Sequence, residues 1–581
     1  MTDSHLLALR ALNHWRPIHT QSYVGLRLAL DCSIGRATDS EWFRDIAIRK
    51  SGTRKQPRYC GFQAVKEIGP DQRPKYRDFV AASPSTALAE AWCLHALSRT
   101  PSLANHKRSF SYLWPSIDGS ARNYELYRDG YNRRNEAIRA SLRENPRATI
   151  FVGDIRSFYP SISKRAVREE LARRLGAAEI VGPARRAIDG VFGKYLEATE
   201  GPIGIALGPP LSHLLGHLAL SRFDEQMNGR FGSRYFRYVD DIVIVVPTGS
   251  ATDVGRLVAS ALEPLGLELH PDKSDVLTAE QWLRHGPSLH PATWNNSFEG
   301  LVQRLTLFLS RRPDAFDGLQ KRFLGAGFSL PLGRFRTLAR SGRFRRFWHS
   351  AAAGRLGWFL RGWLDDEDAL LAEAQHLRTR FSKDLERWTH RPTPPGMMLG
   401  RWHSQRLRYL ANRLIYLVPR EQYPQLGDYL AGRDGVREAQ VVLRALHAND
   451  GSSILPYPGA PVAAFAVVAR ESSSRPRVVV PDVPTRPIVD SLATLALHGL
   501  VDVPETFLAR CNPADREVLT FCSGLVSRQQ GLSPTISYAD ELSSLRMGRS
   551  QGEVRGLLDS RFDDHEEFPF DALRLGAGAL S

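Results

Sequence analysis

Three acids carry the clearest chemistry in this chain. Asp240 and Asp241 stand side by side in "YFRYVDDIVIVVP", Tyr235 to Pro247, between stretches of β-branched and aromatic residues that belong in a sheet. Asp154 ends another apolar run, "ATIFVGD", Ala148 to Asp154, 86 positions before Asp240. Adjacent like charges beside buried segments have two readings. One is a tight two-residue hairpin loop, where Asp tolerates unusual dihedrals. The other is a cage for hard divalent cations, which take oxygen ligands and relieve the repulsion between neighbouring carboxylates. A third carboxylate at the end of another strand completes such a cage. Phosphoryl transfer needs one, because two cations about 3.5–4 Å apart must bind the attacking and leaving oxygens, and little covalent chemistry is left to the protein.

The elements that position these acids follow from the pattern around them. After the strand at Ala148 to Asp154, a helix begins near Ser163: Val167, Leu171 and Leu175 share a face, Glu170 sits four before Arg174, and Gly176 suits its end. A second helix follows "GPP" at Gly208 to Pro210, with Leu211, Leu214, Leu215 and Leu218 as its apolar stripe. Then comes the hairpin Tyr235 to Val246, a helix capped by Asp253, and a short strand Leu267 to Leu269 before "HPDKSDVL". This order predicts an α+β fold, an antiparallel sheet with helices on one face.

Four regions are expected: 1–145, mixed basic and helical, with a helix capped near Ser83 to Ser85; 146–285, carrying the acids; 286–450, basic and helical; and 451–581, mostly helical and without evident chemistry. The densest basic and aromatic stretch runs from Gly333 to Leu364. It suits either a helix pair with solvated faces or a groove that tracks a phosphate backbone. Leu455 to Phe465 and Pro481 to Pro487 read as connectors, and "DDHEEFPFD" near the end as an exposed acidic patch.

Composition narrows the partners. At 581 residues, 42% hydrophobic and 24% charged, the chain is an ordinary globular protein of two or three structural units. A net charge of +16 asks for an anionic partner, nucleic acid before membrane. Five scattered cysteines without a CxxC pair indicate neither a zinc site nor a disulfide framework and fit a reducing cytoplasm. No signal-peptide pattern or run of about 20 apolar residues is present, so a cytoplasmic protein is expected.

"FVGDIRSFYPSI", "GIALGPPLSHLLGHLAL", "YFRYVDDIVIVV" and "GLELHPDKSDVL" together resemble, in order, motifs A to D of the reverse transcriptase palm. The resemblance covers about residues 60–285 and implies a right-hand fingers and palm, followed by a thumb-like helical region over 286–450. By it, Asp154 and Asp240, with Asp241 beside them and the Ile155 carbonyl, would ligate Mg²⁺ (or Mn²⁺). Tyr159 would be the bulky residue that crowds a ribose 2′-hydroxyl, and Lys273 would stand near the leaving pyrophosphate. Arg77, with Lys75 and Lys66 as weaker matches, would clamp the incoming dNTP from the fingers. Gly208 and Leu207 would belong to the nucleotide site. The family's motif B has Pro-Gln-Gly before Ser-Pro; here Ala206, Leu207 and Gly208 precede Ser212 and His213. An apolar residue in the Gln place resembles the bacterial abortive-infection (Abi) and unknown-group reverse transcriptases, the defence-associated (DRT) type. That type implies anti-phage defence, untemplated or RNA-directed DNA synthesis, and a protein hydroxyl that can replace the primer, giving a covalent protein–DNA product. Its partners would be dNTPs, RNA or DNA and a neighbouring RNA or defence protein, with self-association open and no membrane. A conventional RNA-templated enzyme of group II intron or retron type, and a non-catalytic RNA-binding palm scaffold, are the alternatives.

Overall fold

The computed structural model describes residues 3–31, 59–115, 120–125, 127–178, 180–247, 251–286, 290–337, 364–393, 397–433, 435–472, 474–525 and 538–561. Helices α1 (Asp3–Trp15) and α2 (Thr20–Asp31) precede a hairpin, β1 (Tyr59–Ile68) and β2 (Pro74–Ala82), and helix α3 (Pro84–Ser98). The start of α3 is the one its sequence suggests: Ser83 Oγ accepts the Thr86 N–H at 3.4 Å, and Pro84 opens the first turn. There follow α4 (Tyr127–Glu144), β3 (Thr149–Asp154), α5 (Lys164–Gly176), α6 (Gly182–Leu196), α7 (Leu211–Ala219) and α8 (Ser221–Phe231). The hairpin β4 (Tyr235–Tyr238) and β5 (Asp241–Val246), α9 (Ala251–Leu262), β6 (Asp275–Thr278) and α10 (Ala279–His285) complete this part.

Strands β4, β5, β3 and β6 form one antiparallel sheet in that spatial order. The β3–β5 register runs from Thr149 opposite Val246 to Asp154 opposite Asp241, so the two strands end together with their acids paired. The stripe of α7 is buried as its spacing predicts. Three expectations need correction. The sheet is covered on both faces: Phe151, Ile242 and Ile244 join the main core, while Ile150, Val152, Val243 and Val245 pack with Ile138 and Leu142 of α4, Trp282 of α10, and Met398, Leu399 and Trp402 further on. "TIFV" and "IVIVV" are continuous apolar runs rather than alternating ones, the signature of a strand buried on both sides. The fourth strand is Asp275–Thr278, not Leu267–Leu269; there only Leu269 forms a single bridge, to Ile155. Asp253 lies inside the first turn of α9 and pairs with Arg256, where its charge suits the helix N-terminus without capping it.

Beyond β6 the described chain is almost wholly helical: α11 (His290–Arg311), α12 (Phe316–Gly325), α13 (Glu367–Thr389), α14 (Met397–Leu417), α15 (Tyr423–Leu430), α16 (Arg437–Ala448), α17 (Ala460–Arg470), α18 (Arg486–Leu497), α19 (Pro513–Ser523), α20 (Tyr538–Arg546) and α21 (Gln551–Leu558). Most of Gly333 to Leu364, and the acidic stretch 563–571, lie outside the described residues. The span Leu455 to Phe465 is more than a connector, since Pro461 starts α17 and that helix is buried along most of its length. No helix among the described residues is long and apolar enough to cross a membrane, and Cys60, Cys93, Cys511 and Cys522 are free thiols.

The C-terminal helices hold the β1–β2 hairpin. Gln63 N–H donates to Asp490 Oδ2 at 2.8 Å and Val65 N–H to the Pro458 carbonyl at 3.0 Å. At the far end of the hairpin Tyr457 Oη donates to the Gln72 carbonyl and Tyr76 Oη to the Pro456 carbonyl, both at 2.9 Å. The main apolar core runs from Leu7 in α1 to Leu558 in α21. Removing residues 451–581 would strip these partners and expose the apolar faces of α2 and β1. A chain ended at residue 450 is therefore expected to lack a cooperative thermal transition by circular dichroism, and a melt matching the full chain's would show the hairpin to be self-supporting.

Candidate metal centre

Strands β4 and β5 are joined by Val239 and Asp240 alone, with Tyr238 opposite Asp241. The left-handed backbone that such a loop requires falls on Val239, φ 55°, and not on an aspartate. A β-branched residue there costs about 1–2 kcal/mol. Three contacts hold it. Val239 N–H donates to Ser111 Oγ at 2.9 Å, the Arg237 guanidinium donates to the Val239 carbonyl at 2.8 Å, and Ile155 N–H donates to the Asp240 carbonyl at 3.2 Å. Arg237 is itself buried and locked by Asp224 of α8 through two bonds of 2.7 and 2.5 Å, while Tyr235 Oη donates to the same carboxylate at 2.6 Å. Arg237 and Asp224 do not stand out in the sequence as functional. The available signal was a lone arginine inside a strand whose neighbours are all apolar or aromatic.

The turn and the β3–β5 register bring Asp154, Asp240 and Asp241 together: each offers a carboxylate oxygen, and these lie within 4.8 Å of one another. No other cluster of three such ligands occurs among the described residues. Asp154 and Asp240 are buried and Asp241 is partly open to solvent. Burial, then the charges of Asp154 and Asp241, push the Asp240 carboxyl well above the usual range. Burial also raises Asp241, against the pull of Arg134 and Arg401, with Arg134 Nη1 3.9 Å away. Lys273 Nζ lies 2.6 Å from Asp154 Oδ2. Asp154 Oδ1 and Asp240 Oδ1 are buried without a hydrogen-bond donor. Orphaned hard oxygens at the edge of a sheet, with one carboxylate reachable from solvent, fit a divalent cation.

The hairpin side chains divide. Arg77 lies within electrostatic reach of Asp240, Tyr159 and Asp154. Lys66 faces the site too, its ammonium pushed down by burial and by Arg77 and Lys273. It is the extra residue of a β-bulge between Val65 and Glu67, which re-aims its side chain. Lys75 is not brought in: it is exposed and pairs with Glu67 at 3.8 Å.

Tyr159 is buried in the single helical turn Phe158–Ser161, and its hydroxyl lies 3.2 Å from His213 Nδ1 on α7. The loop before α7 is tied by three consecutive carbonyls. Ala206 accepts from Tyr195 Oη at 2.5 Å, Leu207 from Val80 N–H at 2.8 Å, and Gly208 from His14 Nε2 at 2.7 Å. Burial lowers the pKa of His14 to about 4, so its ring is neutral. Gly208 has φ +117°, and a Cβ there would sit 2.2 Å from the Val80 carbonyl oxygen, so only glycine fits. His14, Tyr195 and His213 were not legible as site residues: the partners of the two histidines lie 194 and 54 residues away, and Tyr195, 11 residues before Ala206, sits on the buried face of α6 like its apolar neighbours.

No known protein-family model and no curated protein matches this chain. Solved structures do match, among them apo telomerase from Candida tropicalis (12% identity, 56% of this chain and 68% of that one, TM-score 0.26). Another is telomerase from Candida albicans in complex with a TWJ fragment of telomeric RNA (13% identity, 72% of this chain and 64% of that one, TM-score 0.30). At TM-scores this low the likeness decides neither fold nor chemistry.

Two outcomes test the geometry. Asp224→Ala leaves Arg237 buried and unpaired and should cost about 3–5 kcal/mol in denaturant melts; a loss under about 1 kcal/mol would contradict the role given to this pair. Asp240 and Asp241 have raised pKa values when folded, so their contribution to stability is full below the ordinary carboxylate value and is lost as pH rises through the raised values. In EDTA at neutral pH, Asp240→Asn should therefore melt higher than the parent, and the gap should close toward pH 4. In Mg²⁺ the parent should gain stability and the variant less.

Proposed function

We propose that this chain is a DNA-synthesising nucleotidyltransferase of reverse transcriptase type. The observation that carries the proposal is the cluster of Asp154, Asp240 and Asp241 on adjoining strand ends, faced by Lys273, Arg77 and Lys66. In this reading the four-stranded sheet is the palm, the β1–β2 hairpin the fingers, and the helices over 286–450 a thumb-like region. Asp154, Asp240 and Asp241 would hold divalent cations, Mg²⁺ or Mn²⁺, which supply charge neutralisation at the attacking and leaving oxygens.

The remaining work falls to side chains around the acids. Arg77 and Lys66 bind the triphosphate as cations that approach the site from the hairpin. Tyr159 walls the sugar side of the recess, and the Leu207–Gly208 loop closes it. A 3′-hydroxyl, or a protein hydroxyl in its place, attacks the α-phosphate; the new P–O ester forms as the α–β phosphoanhydride breaks, and pyrophosphate leaves. Lys273 offers its proton or its charge to that leaving group. The apolar Leu207 in place of a glutamine, with the motif resemblance, supports the defence-associated type, and hence an anti-phage role with relaxed template use.

Purified protein given Mg²⁺ or Mn²⁺ and labelled dNTPs, with and without RNA, should make polymer. The Asp240→Ala, Asp241→Ala double variant should make none, and Lys273→Ala should be slower by about 10²-fold or more. RNA binding unchanged in the double variant, with no synthesis by the parent under any condition, would instead mark a binding scaffold.

A further inference from the structure

Tyr159 cannot swing freely, and the residue that fixes it departs from the pattern this chain otherwise resembles. His213 follows Ser212 where that pattern has a proline, which has no side-chain hydrogen-bonding group. Here the imidazole Nδ1 lies 3.2 Å from the Tyr159 hydroxyl. The imidazole is held in turn by Tyr112, whose ring stacks on it with centroids 3.5 Å apart and planes 9° from parallel. Tyr124 meets His213 edge-on at 5.8 Å. Tyr112 adopts φ 46°, a backbone conformation uncommon for a bulky residue, so its ring is placed at a conformational cost. Behind Tyr159 stands Gly216: a Cβ there would come within 3.4 Å of Tyr159 Cε1 and 3.6 Å of its hydroxyl oxygen, so the phenol already lies against the α7 backbone.

We infer that His213, stacked on Tyr112, is a specificity-determining positioning residue: by anchoring the Tyr159 hydroxyl it keeps the phenol rigid against the sugar and so makes the site reject ribonucleotides in favour of 2′-deoxynucleotides. The inference rests on the nucleotide-transfer reading above. Its physical basis is selectivity by exclusion. A wall rejects one extra oxygen only if it cannot rotate or retreat. Gly216 blocks retreat, and the bond to His213 blocks rotation. Arg77 and Asp240 lie within electrostatic reach of Tyr159 and Tyr112, which puts this wall at the edge of the metal centre. A proline in place of His213 would leave the phenol oxygen without this partner.

The test compares dATP with ATP in two ways: equilibrium binding by titration calorimetry with Ca²⁺, and incorporation with Mg²⁺. The parent should favour dATP. His213→Phe keeps an aromatic ring on Tyr112 and loses the bond; Tyr159→Phe loses one oxygen. Each should lower the dATP/ATP ratio about fivefold, the worth of one ordinary hydrogen bond. The double variant should lower it no further than either single one, because both remove the same interaction. Tyr112→Leu, which removes the stack together with the ring's edge contacts to Tyr124 and His217, should move the ratio in the same direction. Ratios within twofold of the parent in both single variants, or additive losses in the double, would overturn the role of His213 while leaving nucleotide transfer standing. A parent that binds both nucleotides equally would do the same. A parent that binds neither would overturn the transfer reading and this inference with it. If His213→Phe fails to melt like the parent, Tyr159→Phe and Tyr112→Leu decide the matter.

Discussion

Mutual repulsion among three carboxylates is the constraint around which this fold is arranged. Two are buried and the third is half-buried, with oxygens from all three inside 4.8 Å. No carboxylate cluster of that density is comfortable without positive charge nearby. The four cations come from three separate places: Lys66 and Arg77 from the β1–β2 hairpin, Arg134 from α4, and Lys273 from the loop before β6. Arg134 is fixed over the rings of Tyr131 and Tyr238, 4.7 and 5.4 Å from their centroids, so its charge is held by packing as well as by Asp241. The hairpin, α4 and the loop before β6 thus each have an electrostatic reason for their place besides packing.

Backbone strain gathers at the same spot. Of the five non-glycine residues with positive φ among those described, Val239 forms the turn of the acidic hairpin, Tyr112 stacks on the anchor of Tyr159, and Ser157 leads into the turn that carries Tyr159. Such conformations persist only where surrounding contacts over-determine them. For Val239 the contacts are Ser111, Arg237 and, behind Arg237, the buried Asp224. The Arg237–Asp224 pair contributes little net stability of the kind apolar packing would give; its value lies in fixing one turn geometry.

The acid-bearing sheet was legible because its signals are local. β3, the acidic hairpin, α5 and α7 each show their period and their ends within a dozen residues, and the helix caps at Ser83 and Ser163 follow from side-chain chemistry alone. The second covered face of the sheet was not legible, because half of its cover comes from Met398, Leu399 and Trp402, more than a hundred residues away. Lys66 was ranked with Lys75 from sequence, and only the bulge, invisible without the strand pairing, separates them. His14 was out of reach for a similar reason. Nothing in "ALNHW" announces a contact with the carbonyl of Gly208, 194 residues on.

The three tied carbonyls before α7 bear on how the site works as a whole. Leu207 is bonded to Val80 of β2, so the loop before α7 and the hairpin that carries Arg77 are one hydrogen-bonded unit. The hairpin is in turn gripped by Pro456, Tyr457 and Pro458 from the turn before α17 and by Asp490 of α18. A hairpin held on both sides cannot open far without breaking several of these bonds together, each worth about 0.5–1.5 kcal/mol net. Lys66 and Arg77 are therefore pre-placed beside the acids rather than swung in, which lowers the ordering cost of binding any anion there. Leu207 fits this arrangement: its backbone carbonyl joins the loop to the hairpin while its apolar side chain is buried, so at this position the main chain supplies the polar contact and the side chain the packing.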